Sequence, residues 1–186
     1  QFSDEEILAR THNARGRGRE PAQQGGIAVI PVLGILTHRP QIQDVSGPQS
    51  TGITQLKQRI TAALDNPNIG TIVLDVDSPG GEVSGIDELS QFIYDARKQK
   101  RIIAIANARA ASAAYYIGSA ASEFVVTPSG EVGSIGVFML HQDLSDAFES
   151  QGIKTTIIQA GRFKTEGNPF EPLSEEAQAA FQASVD

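Results

Sequence analysis

At 186 residues, with 40% hydrophobic side chains, 18 glycines and 9 prolines, the chain has the size and make-up of one turn-rich α/β domain and not of a disordered segment. A net charge of −7, from 22 acidic against 15 basic residues, excludes non-specific nucleic-acid binding, which needs clustered Lys and Arg. Cysteine is absent, so disulfides, thiolate metal sites and a Cys nucleophile are excluded, and the longest apolar run, 27–36, is too short to span a bilayer.

In chain order, Ser3 to Glu6 is a capping-box pattern opening a short helix with a thin apolar face. Arg10, Arg15, Arg17 and Arg19 then mark a flexible tether rich in Arg and Gly, whose other reading is an RNA-binding arm. Residues 1–25 are therefore set apart as an N-terminal helix and linker, and 26–186 as one domain truncated at its C-terminal end. Ile27 to Leu36 reads as a strand, with Pro31 placing it at an edge or a bulge. His38 to Ser50 reads as a polar loop. Ile53, Leu56, Ile60 and Leu64 recur at helical spacing and stop before Pro67.

Gly70 to Asp77 is a near-continuous apolar strand, broken by Ser78, Pro79, Gly80 and Gly81, after which Ser84 caps a helix with core positions Ile86, Leu89, Phe92, Ile93 and Ala96. With the strand Ile102 to Ala106 this makes a βαβ unit, so the sheet is at least partly parallel. A second unit runs through Ser112. Beyond it the pattern predicts a strand over Glu123 to Thr127, a tight glycine-bounded turn over Gly133 to Val137 and a helix over Asp143 to Gln151. A strand over Lys154 to Gln159, a loop from Arg162 to Pro172 and a helix capped by Ser174 complete the chain.

In a parallel sheet, ligands sit at the carboxyl ends of the strands, and two such ends carry chemistry here. Ser112 stands where an apolar strand opens into small residues of helical spacing. It is either the N-cap of an Ala-rich helix or an exposed hydroxyl beside free backbone donors. Gly80 and Gly81 are either a plain tight turn or, with the N–H of Ala113, donors of an oxyanion hole. A serine nucleophile needs a base. His12, His38 and His141 are available, and His141 with Asp143 is the best histidine candidate for a triad. Asp75 and Asp77 share a strand face and form a carboxylate pair or merely bond their own turn. No His or carboxylate cluster has metal-ligand spacing. Lys164 remains, a solvated loop lysine by composition alone.

The ordered set of motifs is more specific than any one of them: Asp77 to Gly81, Ala111 to Tyr116, Gly133 to Val137, and Phe163 with Lys164 ahead of Gly167, Asn168 and Pro169. From about Gly26 onward it resembles the signal peptide peptidase A family of serine peptidases, which shares its fold with Clp protease and the crotonases. Within that family it looks closest to the head-processing proteases of lambda-like phages and prophages. The resemblance implies an α/β, Clp/crotonase-like fold with stacked βαβ units around a mostly parallel sheet. It implies Ser112 as nucleophile, Lys164 as general base, Ser134 holding the lysine, and no metal or cofactor. Ala113 and Ala114 depart from a family pattern that often has Gly after the nucleophile.

A free lysine, with a pKa of about 10.4, is protonated at neutral pH, and burial is what favours its neutral form. Glu166 is thus expected to point away from Lys164. The implied function is hydrolysis of peptide bonds in phage scaffold or capsid proteins, in host cytoplasm or prohead, by a homo-oligomer with shared active sites. Three alternatives accompany it: a signal peptide peptidase held at the membrane by an upstream anchor, a catalytically silent ring-forming module, and a crotonase-like acyl-CoA enzyme.

Overall fold

A computed structural model describes residues 22–24, 26–39 and 50–186. The expected N-terminal helix, His12, the arginines of the tether and most of the loop after His38 lie outside the described residues, while the end of the expected flexible linker, Ala22–Gln24, is a strand paired with Ile27 to Val29. The described chain divides into two compact units, the first ending at Ile135 and the second spanning Gly136–Asp186.

The first unit is a sheet of seven strands: β1 (Ala22–Gln24), β2 (Ile27–Thr37), β3 (Ser50–Gly52), β4 (Thr71–Gly81), β5 (Arg101–Ala111), β6 (Glu123–Val126) and β7 (Glu131–Gly133). The order along the sheet is β1-β2-β4-β5-β6, with β3 beside β2 and β7 beside β5. Every pairing is parallel except β1 with β2. Helices α1 (Ile53–Asp65), α2 (Ile86–Ala96) and α3 (Ala113–Ser119) make the crossovers β2-α1-β4, β4-α2-β5 and β5-α3-β6. Parallel crossovers are right-handed, and a strand order that never reverses then puts all three helices on one face. Burial agrees. Ile72, Leu74 and Val76 of β4 are fully buried while the alternate Val73 and Asp75 are half-buried, and Ile102, Ala104 and Ala106 repeat the pattern on β5. These residues meet Leu56, Ile60, Leu89, Ile93 and Ile117 in one core.

The α/β class and the parallel βαβ units are as the sequence predicts, with local differences. Pro31 lies within a strand that pairs with β4 on one side and with β1 and then β3 on the other, and the β2–β4 register shifts, as at a bulge, between Leu33 and Ile35. The Thr51 hydroxyl accepts the Leu33 N–H at 2.9 Å and donates to the Leu33 carbonyl at 2.8 Å, so Leu33 turns its polar groups toward β3. By strand alternation Pro31 faces the same side. It falls between the end of the β1 pairing at Val29 and the start of the β3 pairing at Ile35, where no donor is needed. Ser84 caps nothing: α2 starts from Gly85, in the left-handed region at φ 84°. The segment Ser78 to Gly81 is the end of β4 and not a break after it, since Gly80 and Gly81 still pair with Ile35 and Leu36.

Lys100 closes α1 from outside. Its ammonium donates to the carbonyls of Ala63 and Asn66 at 3.0 and 2.6 Å, groups that the helix leaves without internal partners. Lys100→Met keeps the aliphatic stem and removes both bonds. It is expected to lower stability by about 1–2 kcal/mol, read as a shift in the urea midpoint without a change in slope.

The second unit holds α4 (Ser145–Ser150) and α5 (Glu175–Val185). Asp143 accepts from the N–H and hydroxyl of Ser145, which explains why α4 begins two residues later than predicted. Ser174 caps α5 as expected, accepting from the Ala177 N–H at 3.1 Å. The strand predicted over Lys154 to Gln159 does not form: among the described residues the segment joins no ladder, and Ile158 is 95% exposed. An alternating pattern makes a strand only where a neighbour supplies the ladder. Nor is Gly133 to Val137 a tight turn. Gly133 ends β7, and the chain runs on through Ser134, at φ 53°, with no closed turn. Among the described residues no helix is long and apolar enough to cross a membrane.

Candidate active site

β5 ends at Ala111 and α3 begins at Ala113, so Ser112 alone turns the chain, at φ 53° and ψ −125°. A non-glycine residue holds such a conformation at a cost of roughly 1–3 kcal/mol, and only where its surroundings impose it. Here they do. The Ser112 N–H donates to the Gly133 carbonyl at 2.7 Å, and its carbonyl accepts from the Tyr116 N–H at 3.0 Å. The hydroxyl makes no capping bond, so Ser112 occupies the N-cap position without doing a cap's work. The result is a half-buried hydroxyl at the apex of a strained strand-to-helix turn.

The end of β4 runs against this turn. A methyl group placed on Gly80 would lie 2.8 Å from Ser112 Cβ, 2.9 Å from the Ala111 carbonyl oxygen and 3.1 Å from the Ala113 nitrogen, so only glycine fits. Its φ of 96° demands glycine as well. The two glycines differ as donors. The Gly80 N–H is taken by Ser78 Oγ at 3.1 Å, and that hydroxyl donates to the Gly34 carbonyl at 2.6 Å. The Glu82 N–H donates to the Leu36 carbonyl at 2.9 Å, and in a parallel ladder the Leu36↔Gly81 pair then sets the Gly80 carbonyl toward β2. A planar trans peptide turns the Gly81 N–H the opposite way, to the β5 side where Ser112 sits. Of the two glycines, Gly80 thus has its N–H engaged within its own strand end. The bond at Gly80 orients the strand end.

Ser134 follows Gly133, whose Cα pairs with Ala111 in the β5–β7 ladder, so both serines stand at neighbouring strand ends. Ser134 also has a φ of 53°, and it is exposed. Lys164 belongs to the second unit. It is exposed, and its backbone N–H donates to the Gly161 carbonyl. Glu166 accepts from the Ser174 hydroxyl at 3.2 Å. In the same unit, His141 Nε2–H donates to the Asn168 carbonyl at 2.9 Å, while the Asp143 carboxylate is engaged by Ser145. Those Ser145 bonds hold the Asp143 carboxyl below its ordinary pKa. The histidine alternative therefore loses its triad geometry: ring and carboxylate each have another partner. His38 is elsewhere, its backbone N–H bonded to Glu82 Oε2 at 2.7 Å. Asp75 and Asp77 do share the strand face away from the helices. Among the described residues no group of three or more His, Cys, Asp or Glu is placed to hold a metal.

Sequence reasoning missed two features. Ser78, fully buried, orients Gly80; a serine ahead of Pro-Gly that bonds its own turn was the available signal. Tyr116 Oη donates to Asp87 Oδ1 at 2.8 Å, joining α3 to α2, and the carboxylate raises the phenol above its ordinary pKa. Nothing local pairs these residues, so only the fold shows them.

Residues 95–186 match peptidase family S49. The chain is 35% identical over 191 aligned residues to head-tail preconnector protein GP5 of Enterobacteria phage P21, covering all of this chain and 38% of that protein. It is 38% identical over 162 residues to capsid assembly protease C of Escherichia phage lambda, covering 87% of this chain and 36% of that one. The chain thus spans less than two-fifths of the length of these relatives. Among solved structures, a variant of the 1510-N membrane-bound stomatin-specific protease superposes with a TM-score of 0.50 at 19% identity, over 66% of this chain and 53% of that one, a likeness of fold. The motifs at Gly80–Gly81, Ser112 and Lys164 and these matches lead to one statement: the chain carries a peptidase family S49 domain.

Proposed function

We propose that the chain is the peptidase domain of a serine endopeptidase that cuts phage head proteins, with Ser112 as nucleophile, Lys164 as general base and Ser134 as the hydroxyl that holds the lysine amine. The observation that carries this reading is the strained turn at Ser112, seated against a glycine that no other residue can replace, with its hydroxyl making no capping bond. In the proposed reaction the neutral Lys164 amine takes the proton from Ser112 Oγ as that oxygen attacks a peptide carbonyl. The N–H groups of Gly81 and Ala113 receive the oxyanion. The protonated lysine then gives its proton to the leaving amine, and water, deprotonated by the same lysine, releases the acyl group from Ser112.

Burial against apolar walls favours a neutral amine. A second subunit supplies those walls in this reading, covering the exposed Phe163 and Ile158 of the unit that carries Lys164. The relatives named for capsid assembly and head-tail connection support head proteins as substrates.

The test is cleavage of casein by the purified protein and by Ser112→Ala. The parent is expected to cleave and the variant to lose roughly 10³-fold or more in kcat, with unchanged thermal stability. An inert parent that still assembles would instead favour a silent assembly module.

A further inference from the structure

The segment that carries Gly81 is tied on two sides, and on one of them it reaches the nucleophile helix. Between β4 and α2 the residues Gly81, Glu82, Val83 and Ser84 are exposed, and Gly85 enters α2 through a left-handed φ without a side-chain cap. On the β2 side the segment is held by Glu82, whose N–H donates to the Leu36 carbonyl and whose carboxylate accepts from the His38 N–H. On the other side Asp87, the second residue of α2, accepts from Tyr116 Oη at 2.8 Å. Tyr116 lies one helical turn after Ser112 and bonds the Ser112 carbonyl through its own N–H.

We infer that the Tyr116–Asp87 hydrogen bond is a clamp that holds the Gly81 segment at a fixed distance from Ser112, which makes Tyr116 a positioning residue for attack on the substrate carbonyl. The inference rests on the peptidase reading for its catalytic consequence, but not for its mechanical one. The bond joins the two elements that leave the site, one from the donor strand and one from the nucleophile. Swinging α2 away from α3 would turn the Gly81 peptide, and an oxyanion donor works only within hydrogen-bond reach of the developing charge. Tyr116 is 49% exposed, so water competes for the bond and its loss leaves the fold intact. Position is what it controls.

Tyr116→Phe removes the hydroxyl and keeps the ring, Asp87→Ala removes the acceptor, and Asp87→Asn retains an acceptor oxygen. Three quantities are read: kcat and KM on a fluorogenic peptide, the inhibition constant of a peptide aldehyde, whose hemiacetal places an oxyanion at the donors, and hydrogen exchange of the amides of Gly81 to Gly85. Tyr116→Phe and Asp87→Ala are expected to lower kcat about tenfold, to weaken the aldehyde by the same factor, and to leave KM and melting temperature near the parent's. The double variant should be no worse than either single one. Asp87→Asn should recover most of the loss, and exchange at Gly81 to Gly85 should quicken in the two impaired variants. Parental kcat and parental exchange in Tyr116→Phe would overturn the clamp. If the parent itself does not cleave, the peptidase reading fails; the clamp then stands or falls on the exchange rates alone.

Discussion

Lys164→Arg is expected to be as inactive as Lys164→Ala. If Lys164 served as a positive charge for a substrate carboxylate, arginine would keep much of the activity, since it carries the same charge and more donors. A general base has to accept a proton, and a guanidinium stays protonated and so does not become an acceptor at any pH the enzyme tolerates. Both variants should therefore lose roughly 10²–10⁴-fold in kcat. Their melting temperatures should match the parent's, because the side chain is exposed and the bond Lys164 makes to Gly161 is through the backbone. Casein or peptide hydrolysis from pH 6 to 10 gives the answer. Lys164→Arg activity above about a tenth of the parent's would remove the lysine from the role of base. His141 would be a poor replacement, with its Nε2–H already given to Asn168.

Gly81→Ala is expected to damage both folding and chemistry. The added methyl would stand 2.0 Å from the Leu36 carbonyl oxygen and 2.7 Å from the Leu36 nitrogen and carbonyl carbon, backbone atoms held in the β2–β4 ladder. No side-chain rotation relieves that overlap, so the strand ends must part. Overpacking of this kind costs about 3 kcal/mol, which for a domain of this size lowers the melting temperature by about 6–12 °C. Because the Gly81 N–H is the proposed oxyanion donor, kcat should fall by about 10²-fold even at temperatures where the variant is folded. Calorimetry and peptide hydrolysis on the same preparation separate the two effects. A variant that melts like the parent would show that the strand ends are not locked in the observed register.

Much of the fold can be read from local pattern. The runs around Ile72 to Val76 and Ile102 to Ala106 announce buried strands, and the spacing of Leu56, Ile60, Leu89 and Ile93 announces the helices that cover them. The readings that failed are those that depend on a partner. β1 and β3 are three residues each, and only β2 makes them strands. Lys154 to Gln159 has strand composition and, among the described residues, no ladder to join, so it stays unpaired. Ser78 to Gly81 looks like a turn because Pro and Gly punctuate most chains, yet here the ladder to Leu36 carries the strand through them.

The site divides the same way. Residue type and order singled out Gly80, Gly81 and Ser112, the family resemblance added Ser134 and Lys164, and the alternation of strand and helix put Ser112 at a strand end. What the chain's own order does not contain is the approach of Gly80 to Ser112, the capture of the Gly80 N–H by the Ser78 hydroxyl, and the hydroxyl of Ser112 left without a cap. The first follows from the parallel register of β4 and β5, in which Ser78 pairs with Ala110. Hydrogen-bond geometry between strands distant in sequence decides which way each peptide faces, and local propensity says nothing about it.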